Sequence, residues 1–456
     1  MNISLFNGID FIVFPLVLLL IIFSLRRLKK KQPENIQKYF FNAFFLRVLG
    51  TFSIAVIYEF VYGYGDTYGF FMNVKAMHAL MTDNFGSWVT VLFSDPRSKN
   101  ADVQTYLNLV ENMNAIAALV YQSVENANLC KVASVFNLVC FNSYLSIALF
   151  FGTFSFIGCW YVFKTFTKIF PGYEKQFAWL CLYIPSLWFW GSGLLKDPLC
   201  IFAIGILLYN AYASDKSLIA RAFYMFFGLV ILYNLKGYIF YVFTISFSIV
   251  LVSHFYKKLQ IGGKVVFGFF VLAGLAITIG PIASAVQKGF LSLVDQSKVF
   301  FDSYTSGAEV GDSTVIYNFD PSPLGFFRMS IQGLITVYMR PFPWEFRKLV
   351  YLFVIMENLL MYYLLFKKFK IGPVVFTKNN RKVVQFCLYF TLLMGIVIGI
   401  TTFNLGAIAR YRVPALAFLF SGIFAWKLNK RKAAVEKENE ILLHANNLEI
   451  VETIKQ

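Results

Sequence analysis

Charge is scarce in this chain, and acidic charge scarcest. Only 14% of its 456 residues are charged, with 24 Asp and Glu against 41 Lys and Arg. A soluble domain of this length needs a charged surface, so the shortage excludes an ordinary globular enzyme. Histidine is nearly missing: His78, His254 and His444 lie far apart and form no zinc pattern. The six cysteines show no metal spacing, and Cys140, Cys159, Cys181, Cys200 and Cys387 fall in apolar stretches, where they act as small hydrophobes. Only Cys130 is expected near an outer loop, and no disulfide framework is implied. There is no P-loop, no Ser, His or Cys triad, and no internal repeat of the kind that builds inverted transporter halves.

What the chain has is apolar length. Hydrophobic residues make up 58% of it and aromatics 19%, gathered in runs of roughly 17–25 residues, the length that spans a bilayer. The pattern predicts about eleven spans, at approximately 9–26, 40–63, 133–162, 177–195, 198–213, 219–235, 238–256, 264–284, 348–366, 383–403 and 413–428. The third is longer than a bilayer requires, so it tilts or starts above the membrane. Basic clusters stand at every second junction: 26–31, Lys164 with Lys168, Lys216 with Arg221, Lys257 with Lys258, 367–370 with 378–382, and 427–432. Short loops rich in Lys and Arg stay cytoplasmic. An odd number of spans then places the N-terminus outside and the C-terminus inside, in the cytoplasmic (inner) membrane. The net charge of +17 is accounted for by topology, and nucleic acid is not an expected partner. The cations at 26–31 follow the first apolar run instead of preceding it, unlike those of a cleavable signal peptide.

The expected fold class is therefore all-α: a polytopic integral membrane protein with about eleven transmembrane helices and two long outer loops containing amphipathic helices. One transmembrane domain covers 1–428, and a charged cytoplasmic tail, solvated or forming a short helix, covers 429–456. The first outer loop, about 64–132, includes 103–124, where apolar residues recur at helical spacing among Gln104, Asn108, Glu111, Asn112 and Asn114. The second, about 285–347, opens with a similar helix at 289–301, crosses a Gly/Ser/Asp-rich stretch at 303–313 and returns through 325–339. Loops this long carry function or serve as mobile linkers.

With the basic clusters inside, five polar motifs all fall outside. Gly65-Asp66-Thr67 follows the second span among aromatic residues; there Asp66 is a general base tuned by partial burial, with Glu59 orienting it, or simply a helix cap. In Lys196-Asp197-Pro198, Asp197 caps the next helix with Pro198 in its first turn, and Lys196 seeks phosphate or merely punctuates a hairpin. Lys236 in Asn234-Leu235-Lys236-Gly237 sits close to membrane depth, where it binds a phosphate or snorkels to water. In Arg340-Pro341-Phe342-Pro343-Trp344-Glu345, Arg340 offers a planar fork to phosphate or pairs internally with Glu345. Arg410-Tyr411-Arg412 enters the last span from the side that positive-inside bias disfavours, so both arginines are kept for a ligand or anchor headgroups, with Tyr411 between them. One carboxylate with several cations at one face suits a lipid-linked sugar phosphate: the cations hold the leaving group and the carboxylate deprotonates an acceptor hydroxyl.

With these motifs the chain resembles the C-type membrane glycosyltransferase superfamily across roughly 38–420. Those polytopic enzymes take lipid-linked sugar donors and hold an acidic residue near the membrane surface in their first large outer loop, the place of Asp66. Two features depart from that layout: an extra span precedes the expected first one, and the loop has no adjacent acidic pair. The paired arginines are also similar to those of O-antigen polymerases and ligases. The resemblance implies transfer of a sugar from a polyprenyl-phosphate or diphosphate donor to a glycan or lipid acceptor at the outer face. Asp66 would be the base, and Lys196, Lys236, Arg340, Arg410 and Arg412 the phosphate ligands, with Glu59, Asp197, Glu345 and Tyr411 in support. A lipid-linked glycan transporter or flippase, and a scaffolding subunit, are the alternatives from other classes. No cofactor is certain, and Asp66 alone gives too few ligands for a Mg²⁺ or Mn²⁺ site, leaving a divalent metal open.

Overall fold

A computed structural model describes residues 4–258, 323–346, 349–367, 379–402 and 404–431, and these are helical with no strand among them. Among the described residues, six helices are long and apolar enough to cross a membrane, or seven when a bent pair is taken as one span. The chain is a multi-pass membrane protein. Its outward faces agree with that: Phe11 is 86% and Ile219 84% exposed, an arrangement that only an apolar solvent tolerates along whole helices.

In chain order the elements are α1 (Asp10–Lys30), a short α2 (Glu34–Gln37), and α3 (Phe40–Ile57) continued by one π turn (Tyr58–Tyr62). Then come α4 (Asp66–Asp83), α5 (Phe85–Phe93), α6 (Ala101–Met113), α7 (Ala115–Tyr121), α8 (Val124–Cys140) and α9 (Tyr144–Ile169). They are followed by α10 (Glu174–Cys181), α11 (Pro185–Trp190), α12 (Lys196–Tyr212), α13 (Leu218–Leu235) and α14 (Gly237–Lys258). The described residues resume with α15 (Pro323–Met339), followed by α16 (Leu349–Phe366), α17 (Asn380–Thr401), α18 (Leu405–Tyr411) and α19 (Val413–Arg431). The chain divides into two compact units: Met1–Gly237 with Met361–Val384 and Leu416–Gln456, and Tyr238–Leu360 with Gln385–Ala415.

At the centre of the first unit stands α9, packed on α12, α3, α1 and α10. The α9–α12 crossing is backbone against backbone. A Cβ added to Gly205 would lie 2.1 Å from the Gly158 carbonyl oxygen, and one added to Gly158 would lie 2.4 Å from that of Ile201. Small residues allow such approach where lipid leaves no hydrophobic drive between helices. Helices α5 to α8 gather on α4. The buried Asn73 helps lock them, donating to the Gly69 and Ala117 carbonyls at 2.7 and 2.9 Å and accepting from the Tyr106 hydroxyl at 2.6 Å. In the second unit, α15 and α17 cross through Gly333 and Gly399, where an added Cβ would come within 2.3 Å of backbone. Near that crossing the Tyr338 hydroxyl donates to the Thr391 carbonyl at 2.7 Å.

Several expected spans take a different form. The run at 133–162 is cut at Phe141 and Asn142, both left-handed (φ 47° and 63°), and the Asn137 carboxamide accepts from the Asn142 amide at 2.7 Å. Ser143 then caps α9. The run at 177–195 resolves into α10 and α11, because Pro185 can start a helix but not continue one. Helix α12 has 17 residues, shorter than any of the six spanning helices, while α16, with 18, fills the run at 348–366. The single amphipathic helix expected at 103–124 is two, α6 and α7, because the Asn114 side chain accepts from the Ala117 amide and caps a new helix. The expected span at 264–284, the helix at 289–301, the stretch at 303–313 and the tail beyond 431 lie outside the described residues.

Candidate functional site

Asp66 is placed by a turn that needs glycine. After the π turn, Gly63 (φ 68°) and Gly65 (φ 128°) take backbone angles closed to most side chains. A Cβ at Gly65 would also strike the Tyr58 ring at 2.7 Å. Asp66 is the first residue of α4 and exposed, and Gly65 holds the N-cap position. A carboxylate there is favoured by the partial positive charge of the helix start. The next residue is buried: the Thr67 hydroxyl lies 2.9 Å from that of Tyr144 and donates to the Leu194 carbonyl at 3.2 Å. Leu194 and Leu195 lead directly into Lys196. One hydrogen bond therefore ties the Asp66 turn to the start of α12.

Lys196 stands 3.4 Å from Glu125 on α8. Asp197 and Lys236 are buried and form an ion pair at 2.5 Å, with side chains 0% and 4% exposed. Leu195, and not Asp197, holds the N-cap position of α12, and the Lys236 ammonium is neutralised inside the protein. The Asn128 carboxamide donates to the Asn234 carbonyl at 3.1 Å, tying α8 to the turn that carries Lys236. Glu59 accepts from the Leu5 amide at 2.9 Å and the Tyr68 hydroxyl at 2.5 Å, holding the N-terminal segment against α4. Burial, reinforced by Glu59, pushes the Tyr68 phenol above its ordinary range, so it remains a donor. The first unit thus brings together the motifs of Asp66, Lys196, Asp197 and Lys236, and adds Glu125. Glu125 escaped the sequence reading because an acid two residues after Ser123 looks like ordinary helix-start chemistry.

The second unit holds the arginines. Arg340 grips Glu345 with its fork: Nε donates to both carboxylate oxygens at 2.9 and 3.2 Å, and Nη2 also donates to Oε1. Arg412 is 1% exposed; Nη1 donates to the Val337 carbonyl and Asn358 Oδ1, both at 2.9 Å, and Nη2 to Glu357 at 3.2 Å. Asn358 in turn donates to the Met339 and Pro341 carbonyls at 3.0 and 3.3 Å. One carboxamide thereby joins Arg412 to the segment bearing Arg340. Arg410 is buried on α18 and Tyr411 half-buried at its end, just before a 63° bend into α19. Glu357 and Asn358 were missed in the sequence, although a Glu-Asn pair inside an apolar run is a signal in itself.

The same signal marks Arg47, in the middle of α3. It is 1% exposed, its Nη2 lies 2.9 Å from the Cys159 sulfur, and Nε and Nη1 have no partner. Among the described residues, no group of three or more His, Cys, Asp or Glu is placed to hold a metal ion. Comparison with known proteins gives no match, whether to family models, curated proteins or solved structures.

Proposed function

We propose that this protein is a membrane glycosyltransferase that moves a sugar from a polyprenyl-phosphate or diphosphate donor to a glycan or lipid acceptor. The observation that supports the proposal is the Thr67–Leu194 hydrogen bond, which ties the turn carrying Asp66 to the segment leading into Lys196. A carboxylate and an ammonium carried on two helix starts tied in this way can deprotonate a hydroxyl and balance a phosphate leaving group. Beneath them the buried Asp197–Lys236 pair fixes the positions of α12 and the 234–237 turn. The second unit carries cations of its own, Arg340, Arg410 and Arg412, of which Arg340 is paired with Glu345 and Arg412 with Glu357. The resemblance to C-type glycosyltransferases supports this reading, with the site at the outer face of the cytoplasmic membrane, the N-terminus outside and the tail inside. The arginine pair supports its variant, an O-antigen-type polymerase or ligase.

Transport of a lipid-linked glycan is the second reading, and one observation favours it. Arg412 pairs with Glu357 at the middle of an apolar helix, beside a 63° helix break. Buried charges at broken helices are how transporters build substrate sites.

Mass spectrometry of lipid-linked glycans in a strain lacking the protein separates the two. A transferase leaves its donor lipid unconsumed and the product short of one sugar, with the donor exposed at the outer leaflet. A flippase leaves the donor confined to the inner leaflet. Unchanged lipid-linked and envelope glycans would refute both.

A further inference from the structure

A second site lies at the opposite ends of α1 and α9 from Asp10 and Tyr144, within the first unit. The end of α1 and the start of α3 meet α9 around a small open cleft. Its floor is aromatic and buried: Phe40 meets Phe156 and Trp160 edge-on, with ring centres 5.0 and 4.8 Å apart. Leu28, Ile157 and Tyr161 line the more open side. Gln32 closes one edge, accepting from the Trp160 indole at 3.2 Å while donating to the Leu28 carbonyl at 2.8 Å.

The charge around this cleft is mostly positive. Lys164 lines it, half-buried, and its ammonium sits 4.9 Å from the Tyr209 ring centre, with no carboxylate among the described residues in an ion pair with it. Its charged neighbours are Lys168, Lys216 and Asp215, and Asp215 is already taken by Lys168. Arg27, Lys29 and Lys30 end α1 on the same side. An apolar slot beside an unpaired ammonium has the complementarity of an anionic lipid: acyl chain on the aromatic floor, phosphate at the cation.

We propose that this cleft binds an anionic phospholipid, with its phosphate on Lys164 and its proximal acyl chain over Phe40, Phe156 and Trp160. Free phosphate shares the headgroup chemistry but cannot fill the slot. The site is independent of the glycosyltransferase proposal.

Native mass spectrometry of the full chain in detergent, titrated with phosphatidylglycerol or phosphatidylcholine, tests it. Phosphatidylglycerol is expected to show a saturable first binding event that phosphatidylcholine lacks. Lys164→Gln should weaken that event about fivefold, the worth of one lysine near a lipid surface, while Lys99→Gln, on an exposed loop, should not. Ile157→Trp, which fills the slot and leaves the charge, should also weaken it. Competition by inorganic phosphate at matched concentration would show a headgroup-only anion site and overturn the lipid assignment. Equal binding of both lipids, or an unchanged titration for Lys164→Gln, would overturn the site altogether.

Discussion

Asp197 and Lys236 show what holds a charge inside an apolar bundle. Each would cost several kcal/mol unpaired, and together they neutralise one another at 2.5 Å. Removing one partner leaves the other stranded, so Asp197→Leu alone should lose about 3–5 kcal/mol. The double variant Asp197→Leu with Lys236→Met should recover most of that, read as the unfolding midpoint in detergent. No recovery would mean that the pair does more than neutralise itself. Arg47 poses the opposite case, since two of its donors are buried without partners. Each such donor costs about 1–3 kcal/mol, so Arg47→Met should raise the unfolding midpoint. A lowered midpoint would show that the guanidinium is held by an acceptor in the membrane-embedded protein. The buried ion pairs join residues far apart in the chain, Arg412 with Glu357 and Asp197 with Lys236, which is why the sequence points to the cations more readily than to their partners.

At the scale of elements, run length was the legible signal. Helices α1, α3, α9, α13, α14 and α17 all lie within stretches whose apolar length alone suggests a span. The breaks were harder to see because the apolar run continues through them. Asn142-Ser143 and Asn114 are ordinary helix-start residues, yet a hydropathy pattern averages them away among their neighbours. The close crossing of α9 and α12 was also hidden, since two glycines 47 positions apart (158 and 205) reveal nothing until the helices meet. That crossing gives a test. Gly205→Val puts methyl groups where the Gly158 backbone lies, and should cost about 1–3 kcal/mol or more. The expected readout is a lowered unfolding midpoint and aggregation on size-exclusion chromatography. Gly8→Val, with no atom within 4 Å of its added Cβ, should leave both unchanged.

For the whole molecule, one consequence follows from a charge pattern that alternates between the ends of the helices. Positions 66 and 429 should label from opposite sides of the membrane when each carries a single introduced cysteine. The native cysteines Cys130, Cys140, Cys159, Cys181, Cys200 and Cys387 are all buried, which keeps the background low. Labelling from the same side would contradict the topology and the outer placement of the site. The central claim is that Asp66 acts as the base on a phosphate-linked sugar held near Lys196. Its most direct test is turnover and donor affinity for Asp66→Asn, in one detergent preparation with a polyprenyl-phosphate sugar. Loss of the proton acceptor should lower turnover about 10²–10⁴-fold with donor affinity nearly unchanged, because the asparagine keeps the shape of the turn. Full turnover by Asp66→Asn would contradict the account and leave Asp66 as the first residue of a helix and nothing more.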